Sequence, residues 1–416
     1  MSEMPAGWFT VPLRDLTLPV TKVVPLDTGR ETIRYIDIGS VDGERHALTN
    51  VQDISADGAP SRARQVVADG DTVFSTVRPY LEKIAYVDGS LDGEFASTGF
   101  SVLRPNPDLV PKYLFYFAIS KAMLDQVLPL QKGVSYPAVL DKEIRSAVIP
   151  VPPLAEQRRI VENLEYYFSR IDAGQHELNS ISLRVDKLRT ALYREVFSRY
   201  ANAERPLAEV VQIENGQTPK GLADALTGEP GSSSAPFYKV GDMNGGDGRR
   251  MPAPRFFVDR TTASELGLHL RAPGVVLIPK RGGAIATNKK RILENEAAFD
   301  LNTMGLRPNS GLSVEYLWRF LQGVDLGQIA DGTAVPQINA KQIQEIQIPV
   351  VDANAQRRIL AELAAKIEAS EVLDQEVSRA TVRADALRRA LLAAAFTGKL
   401  NGTASDVERA EQISVG

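Results

Sequence analysis

The chain has 416 residues, 44% of them hydrophobic and 24% charged, with a formal net charge of −4 and no cysteine. That length favours two or three domains over a single core, and the missing cysteine excludes disulfides, thiolate metal sites and a thiol nucleophile. The slightly acidic balance argues against a protein that coats nucleic acid uniformly, but leaves room for a DNA binder whose basic residues are clustered.

The N-terminal "MSEMPAGWFTVPL" has no basic region followed by an apolar run, so no signal peptide is expected. No apolar stretch approaches the roughly 20 residues that span a membrane. An intracellular, cytoplasmic setting is the expectation. The first 150 residues are punctuated by Gly and Pro. "YIDIG" (35–39), "TVFSTV" (72–77), "KIAYV" (83–87) and "SVLRP" (101–105) read as strands. "PKYLFYFAISKAMLDQVL" (111–128) reads as a helix with Pro111 at its start. That mixture predicts an α+β globule.

Residues 154–198 contain no proline and follow heptads. Leu164, Ile171, Leu178, Val185 and Leu192 form one row. Ile160, Tyr167, Gly174, Ile181 and Leu188 form its companion, and together they make the 3.5-residue stripe of a coiled coil. Gly174 weakens the helix by roughly 1 kcal/mol relative to Ala. A helix of this length would reach ~65 Å at 1.5 Å per residue.

The chain then repeats itself. "TVFSTVRP" (72–79) aligns with "VVLIPKRG" (275–282), placing Arg78 on Arg281, and "KYLFYF" (112–117) aligns with "EYLWRF" (315–320). "QKGVSYPAVLDKEIRSAVIPV" (131–151) aligns with "ADGTAVPQINAKQIQEIQIPV" (330–350), and "KLRTALYREVF" (187–197) with "ALRRALLAAAF" (386–396). Order and spacing held over so long a stretch identify a duplication. The second arm, 353–397, keeps the heptad phase in Leu363, Ser370, Val377, Ala384 and Leu391, beside Ile359, Lys366, Leu373, Ala380, Leu387 and Ala394. Two such arms most simply pack on each other, and the short exit and return at Tyr200 favours an antiparallel pair. The expected architecture is two duplicated α/β globules separated by a long antiparallel two-helix coiled coil, pseudo-twofold symmetric. Its parts are globule 1–150, spacer helix 151–203, globule 204–349, spacer helix 350–400 and a tail, 401–416.

Catalytic signatures are missing. There is no phosphate-binding G-x-x-x-x-G-K-[ST], no G-x-S-x-G elbow, and the three histidines, His46, His176 and His269, lack metal-ligand spacing. A non-catalytic chain is the expectation. Basic residues do cluster locally. "RRMPAPRFFVDR" (249–260) brings Arg249 and Arg250 beside two phenylalanines. "KRGGAIATNKKR" (280–291) carries Lys280, Arg281, Asn288, Lys289, Lys290 and Arg291 without one acid. Five like charges so close repel unless an anion is near. The first globule offers Arg62, Arg64, Arg78, Tyr80, Lys132 and Tyr136. Basic residues with interleaved aromatics and amides suit phosphate positioning and base-edge readout. Arg62 or Lys132 taken singly reads as a solvated loop residue.

"GVSYPAVLDKEIRSAVIPVPPLAEQRRIV" (133–161), "ARQVVADGDTVFSTVRP" (63–79), "GTAVPQINAKQIQEIQIPV" (332–350) and "AFTGKL" (395–400) carry a resemblance over nearly the whole chain. It resembles the specificity subunit of type I restriction-modification enzymes. The resemblance implies that each globule is a target recognition domain reading one half of a bipartite double-stranded DNA site. It implies that the arms set the gap and dock two methyltransferase subunits, which methylate adenine from S-adenosylmethionine. Restriction subunits using ATP and Mg are further partners, and this chain itself binds no cofactor or metal. Glu156, Gln157, Arg158 and Arg159, with Gln356, Arg357 and Arg358, are the candidate docking residues. The second copy departs from the pattern: Pro152, Pro153 and Glu156 become Val351, Asp352 and Ala355. A coiled-coil scaffold joining two protein-binding domains, without DNA readout, is the competing reading. A stand-alone nuclease is poorly supported.

Overall fold

The computed structural model describes residues 5–133, 136–332 and 335–400; the expected tail 401–416 lies outside them. The chain forms two compact units. One takes residues up to Asn179 together with those from Ser378 onward; the other is Ser180–Val377. The long helices are Leu154–Ser198 and Ala353–Ala395. Each unit therefore holds one globule, the first half of the arm that leaves it and the last half of the other arm.

In the first unit, Phe9–Pro12 pairs antiparallel with Val148–Val151 just before the arm begins. Two four-stranded sheets follow. One has the order Thr17–Leu18, Phe100–Pro105, Thr72–Ser75, Ile84–Tyr86. The other has Gln52–Ser55, Thr32–Ile36, Phe95–Ser97, Ala63–Val66, with a parallel pair at its centre. The segment 111–128 is two helices, Pro111–Ala118 and Lys121–Val127, because Ser120 caps a new start by accepting the N–H of Met123.

The second unit repeats the plan. Glu204–Pro206 pairs with Gln347–Pro349, and a sheet runs Val211–Asn215, Thr303–Pro308, Val275–Pro279, Arg291–Leu293. Its mixed sheet has only three strands, Phe256–Asp259, Ser234–Tyr238 and Ala298–Phe299. The repeat extends to single bonds. Tyr113 Oη donates to Pro150 O at 2.9 Å, as Tyr316 Oη does to Pro349 O at 2.9 Å. Leu13 N–H donates to Ala147 O at 2.9 Å, and Leu207 N–H to Ile346 O at 2.8 Å.

Within both units the arms run antiparallel. Arg388 pairs with Asp172, and Gln175 donates to Asp385 at 2.8 Å, in the first. Arg199 reaches Glu362 at 2.7 Å, and Arg189 binds Ser370 and Asp374, in the second. The outer ends of the seam are buried with the globule cores: Ile160 and Leu164 beside Leu391 and Ala394, and Val196 and Phe197 beside Ile359 and Leu363. Aromatic rings close each core. Phe396 stacks edge-on against Tyr113 and Phe117, with centroids 5.1 and 5.3 Å away. Phe197 meets Tyr316 and Phe320 at 5.2 and 5.3 Å. Each globule is thus completed by a phenylalanine from the arm of the other repeat. Farther from the cores the seam is unevenly covered: Val185 and Ser370 are buried, whereas Leu188 and Leu373 are 55% and 42% exposed. Among the described residues no helix is long and apolar enough to cross a membrane.

Candidate nucleic-acid interface

Main-chain hydrogen bonds stitch four loops into one edge of the first unit. Thr76 N–H donates to Gly99 O at 2.9 Å, Thr98 N–H to Arg62 O at 2.9 Å, Val139 N–H to Thr76 O at 2.9 Å, and Arg78 N–H to Pro137 O at 2.7 Å. Arg62 is exposed on this edge. The Arg78 guanidinium lies 5.0 Å from the centre of the Tyr136 ring, which is 72% exposed. Tyr80 is 49% exposed. Lys132 is exposed but paired with Glu143 at 3.2 Å. Arg64 is half-buried, its guanidinium donating to Ala63 O.

The turn that carries Tyr80 is strained and braced. Arg78 and Glu82, on either side of Pro79–Leu81, have φ of 47° and 49°. Non-glycine residues in this region cost of order 1–3 kcal/mol each and persist where their surroundings hold them. A small hairpin, Val41–Asp42 with Ala47–Leu48, supplies the hold. Lys83 Nζ donates to Val41 O, and Gly43 sits so close that a Cβ there would meet Leu81 O at 2.3 Å.

The same edge of the second unit has different side chains. Lys280 N–H donates to Asn302 O at 2.7 Å, Ile338 N–H to Lys280 O at 2.9 Å, and Gly282 N–H to Pro336 O at 2.8 Å. Strand register corrects the expected alignment by one residue. Ser75 faces Phe100 and Pro279 faces Thr303, so Arg78 corresponds to Gly282 rather than to Arg281. Both are left-handed, at φ 47° and 76°. Arg281 occupies the place of Val77, and Gln337 that of Ala138. Arg281 Nε and Nη2 both donate to Gln337 Oε1, at 3.1 and 2.7 Å, and Lys280 Nζ donates to Asn215 Oδ1 at 2.9 Å.

Much of the expected basic cluster in this unit is turned inward. Lys290 is only 1% exposed; its ammonium donates to Asn288 Oδ1 and Val324 O, both at 2.7 Å, and burial pushes its pKa down to about 7. Arg291 is 7% exposed at the start of a core strand and donates to Gly248 O and Lys290 O. Asn288 is committed as well, since its side-chain oxygen also accepts the N–H of Leu326 at 2.9 Å. These three residues are corrections to the expected interface: carbonyl oxygens, not a phosphate, offset the crowded charges. The half-buried Lys289 donates to Asn244 Oδ1. Arg249 is paired with Glu315 at 2.7 Å and Arg250 with Glu294 at 2.8 Å.

The expected docking residues divide the same way. Gln157 is 1% exposed. It accepts the N–H of Val110 at 2.8 Å and donates to Asp108 O and Pro152 O, both at 3.0 Å. Gln356, 3% exposed, accepts from Ser313 N–H at 3.0 Å and donates to Gly311 O and Val351 O. The repeated glutamine is an internal clip rather than a surface contact. Arg158, Arg357 and Arg358 are exposed, and Arg357 donates to Asn354. Glu156 accepts from the Trp8 indole N–H at 3.2 Å and pairs with Arg159 at 3.3 Å. Register puts Asn202 where the first unit has Trp8. Ala355 stands where Glu156 would, so the second copy has neither the indole nor the carboxylate of that bond. Among the described residues no group of acidic or histidine side chains could hold a metal ion.

Residues 9–183 match a family model described as the Type I restriction modification DNA specificity domain. The HindI specificity subunit of Haemophilus influenzae is 25% identical over 154 residues, which is 36% of this chain and 31% of that protein. The matches span about a third of the length of the first curated relatives. A chain from a structural study of complex assembly and conformational transition in a type I system superposes with a TM-score of 0.69 at 29% identity. It covers 96% of this chain and 100% of the other. The HsdS subunit from Thermoanaerobacter tengcongensis gives 0.50 at 29% identity, over 96% and 98%. In sequence over residues 9–183 and in fold over nearly its whole length, this chain is similar to the specificity subunits of type I restriction-modification systems.

Proposed function

We propose that the chain gives sequence specificity to a type I restriction-modification complex by reading a bipartite double-stranded DNA site, one half with each globule. The observation that carries this is the duplicated edge. Three of the main-chain bonds that hold this edge recur in both units, yet the edges offer Arg62, Arg78, Tyr80 and Tyr136 in one and Lys280, Arg281 and Gln337 in the other. A constant scaffold with variable tips suits two readers of different sequences.

The chain acts without chemistry of its own. Two methyltransferase subunits, carrying S-adenosylmethionine, dock on the arms and methylate adenine, and restriction subunits with ATP and Mg are the further partners. Support for docking comes from the arms themselves: Leu188 and Leu373 hold seam positions yet stay exposed, and outside the seam Leu183 and Val372 are 63% and 55% exposed. Exposed apolar side chains gathered on helices mark a protein contact. The arms fix the gap between the half-sites. Binding of the chain and a methyltransferase to duplex DNA, with and without each half-site, tests the proposal. Affinity that requires both halves supports it; assembly unaffected by DNA sequence and salt points to a protein scaffold.

A further inference from the structure

Arg281 is the exposed arginine of the second unit's edge that no carboxylate neutralises among the described residues. Arg249, Arg250 and Arg260 are paired with Glu315, Glu294 and Glu296, Arg271 and Arg307 with Glu214, and Arg291 is buried. The Arg281 side chain is nevertheless held still. Its Nε–H and one Nη2–H both meet Gln337 Oε1, and Gln337 is fixed in turn by the main-chain bridge to Arg281 and by its own N–H to Asp331 Oδ1 at 2.9 Å. A guanidinium has five N–H donors in a rigid plane. With the Nε edge committed, the end formed by Nη1 and the other Nη2–H is left, and two parallel donors there match the N7 and O6 acceptors of guanine in the major groove. Lys280, beside it, adds positive charge without competing for the same acceptor.

We propose that Arg281 reads a guanine in the half-site contacted by the second unit, with Gln337 as the positioning residue that aims it. The first unit has Val77 and Ala138 at these places and lacks this reader. The inference rests on the DNA-reading function proposed above.

The test uses the full chain with its methyltransferase, mapping methylated adenines for wild type, Arg281→Ala, Gln337→Ala and Gln337→Glu. Wild type should require a guanine at one position of one half-site. Arg281→Ala should keep the other half and lose that requirement by about ten- to hundredfold, the range of one bidentate contact. Gln337→Ala should relax the same position in part, and Gln337→Glu, which keeps the acceptor, should restore it. Duplexes carrying 7-deazaguanine at each guanine of the site give a second readout that needs no variant to stay active: binding by wild type should weaken at one position. An unchanged motif, no sensitivity to 7-deazaguanine, or a uniform loss over all sequences with shallower salt dependence would overturn the assignment, the last marking a phosphate contact. A wild-type chain that directs no site-specific methylation would instead remove the underlying function.

Discussion

The side-chain oxygen of Gln157 accepts the backbone N–H of Val110 at 2.8 Å, and Gln356 does the same for Ser313 at 3.0 Å. In each unit this one side chain ties the first turn of a long arm to the loop that starts the globule's aromatic helix. Gln157→Ala strands the Val110 N–H and two carbonyls, so the first unit should lose about 2–3 kcal/mol. The exposed neighbour Arg158→Ala should change stability by less than about 0.5 kcal/mol. Urea titrations of the two variants make the comparison. Equal effects would mean that the glutamine does not act as the clip.

Each globule borrows an aromatic ring from the other repeat's arm. Phe396→Ala should cost the first unit about 3–5 kcal/mol, the range for a buried phenylalanine, while Phe197→Ala should do this to the second. Hydrogen exchange reads the difference. Protection should fall over Pro111–Ala118 in the first variant and over Val314–Gln322 in the second.

The ammonium of Lys290 is pushed down to about 7 by burial, chiefly, with Asp325 opposing. An unfolded lysine keeps its proton to about pH 10. Between those values the unfolded state binds more protons, so the stability of the second unit should rise with pH across roughly 7 to 10. Lys290→Met removes that dependence. Denaturation of both proteins at pH 7, 8 and 9 should show a stability difference that changes steadily with pH. A constant difference would contradict the buried, easily deprotonated lysine.

The half-covered seam supplies a fourth prediction. Leu188→Gln and Leu373→Gln lie on exposed surface and should leave the isolated chain within about 0.5 kcal/mol of wild type. Their affinity for the methyltransferase should drop by about tenfold or more, read by calorimetry or co-purification. Full affinity in the double variant would move the docking site elsewhere.

The duplication, the arms and their antiparallel pairing are legible in the sequence because heptad rows and twice-written phrases are local signals with a fixed period. The edge chemistry is less so. "NKKR" reads as surface charge, yet Arg291 begins a strand whose residues are all buried and Lys290 turns in to Val324 O. Which cations face water depends on partners distant in sequence, such as Val324, 34 residues from Lys290, and Gly248, 43 residues from Arg291. The one-residue slip between Arg78 and Arg281 has a similar origin. Matching the arginines looks better in sequence, but the left-handed turn aligns Arg78 with Gly282, a backbone requirement that side-chain identity conceals. Replacement of Glu156 by Ala355 reads in the sequence only as a departure from the pattern; in the structure it goes with the equally missing indole of Trp8.

Adenine-methylation mapping of genomic DNA from cells expressing the chain with its methyltransferase tests the central claim most directly. The account predicts methylation in one bipartite sequence, two specified halves separated by a fixed run of unspecified bases and dependent on this chain. A contiguous site, or methylation that persists unchanged without the chain, would contradict it.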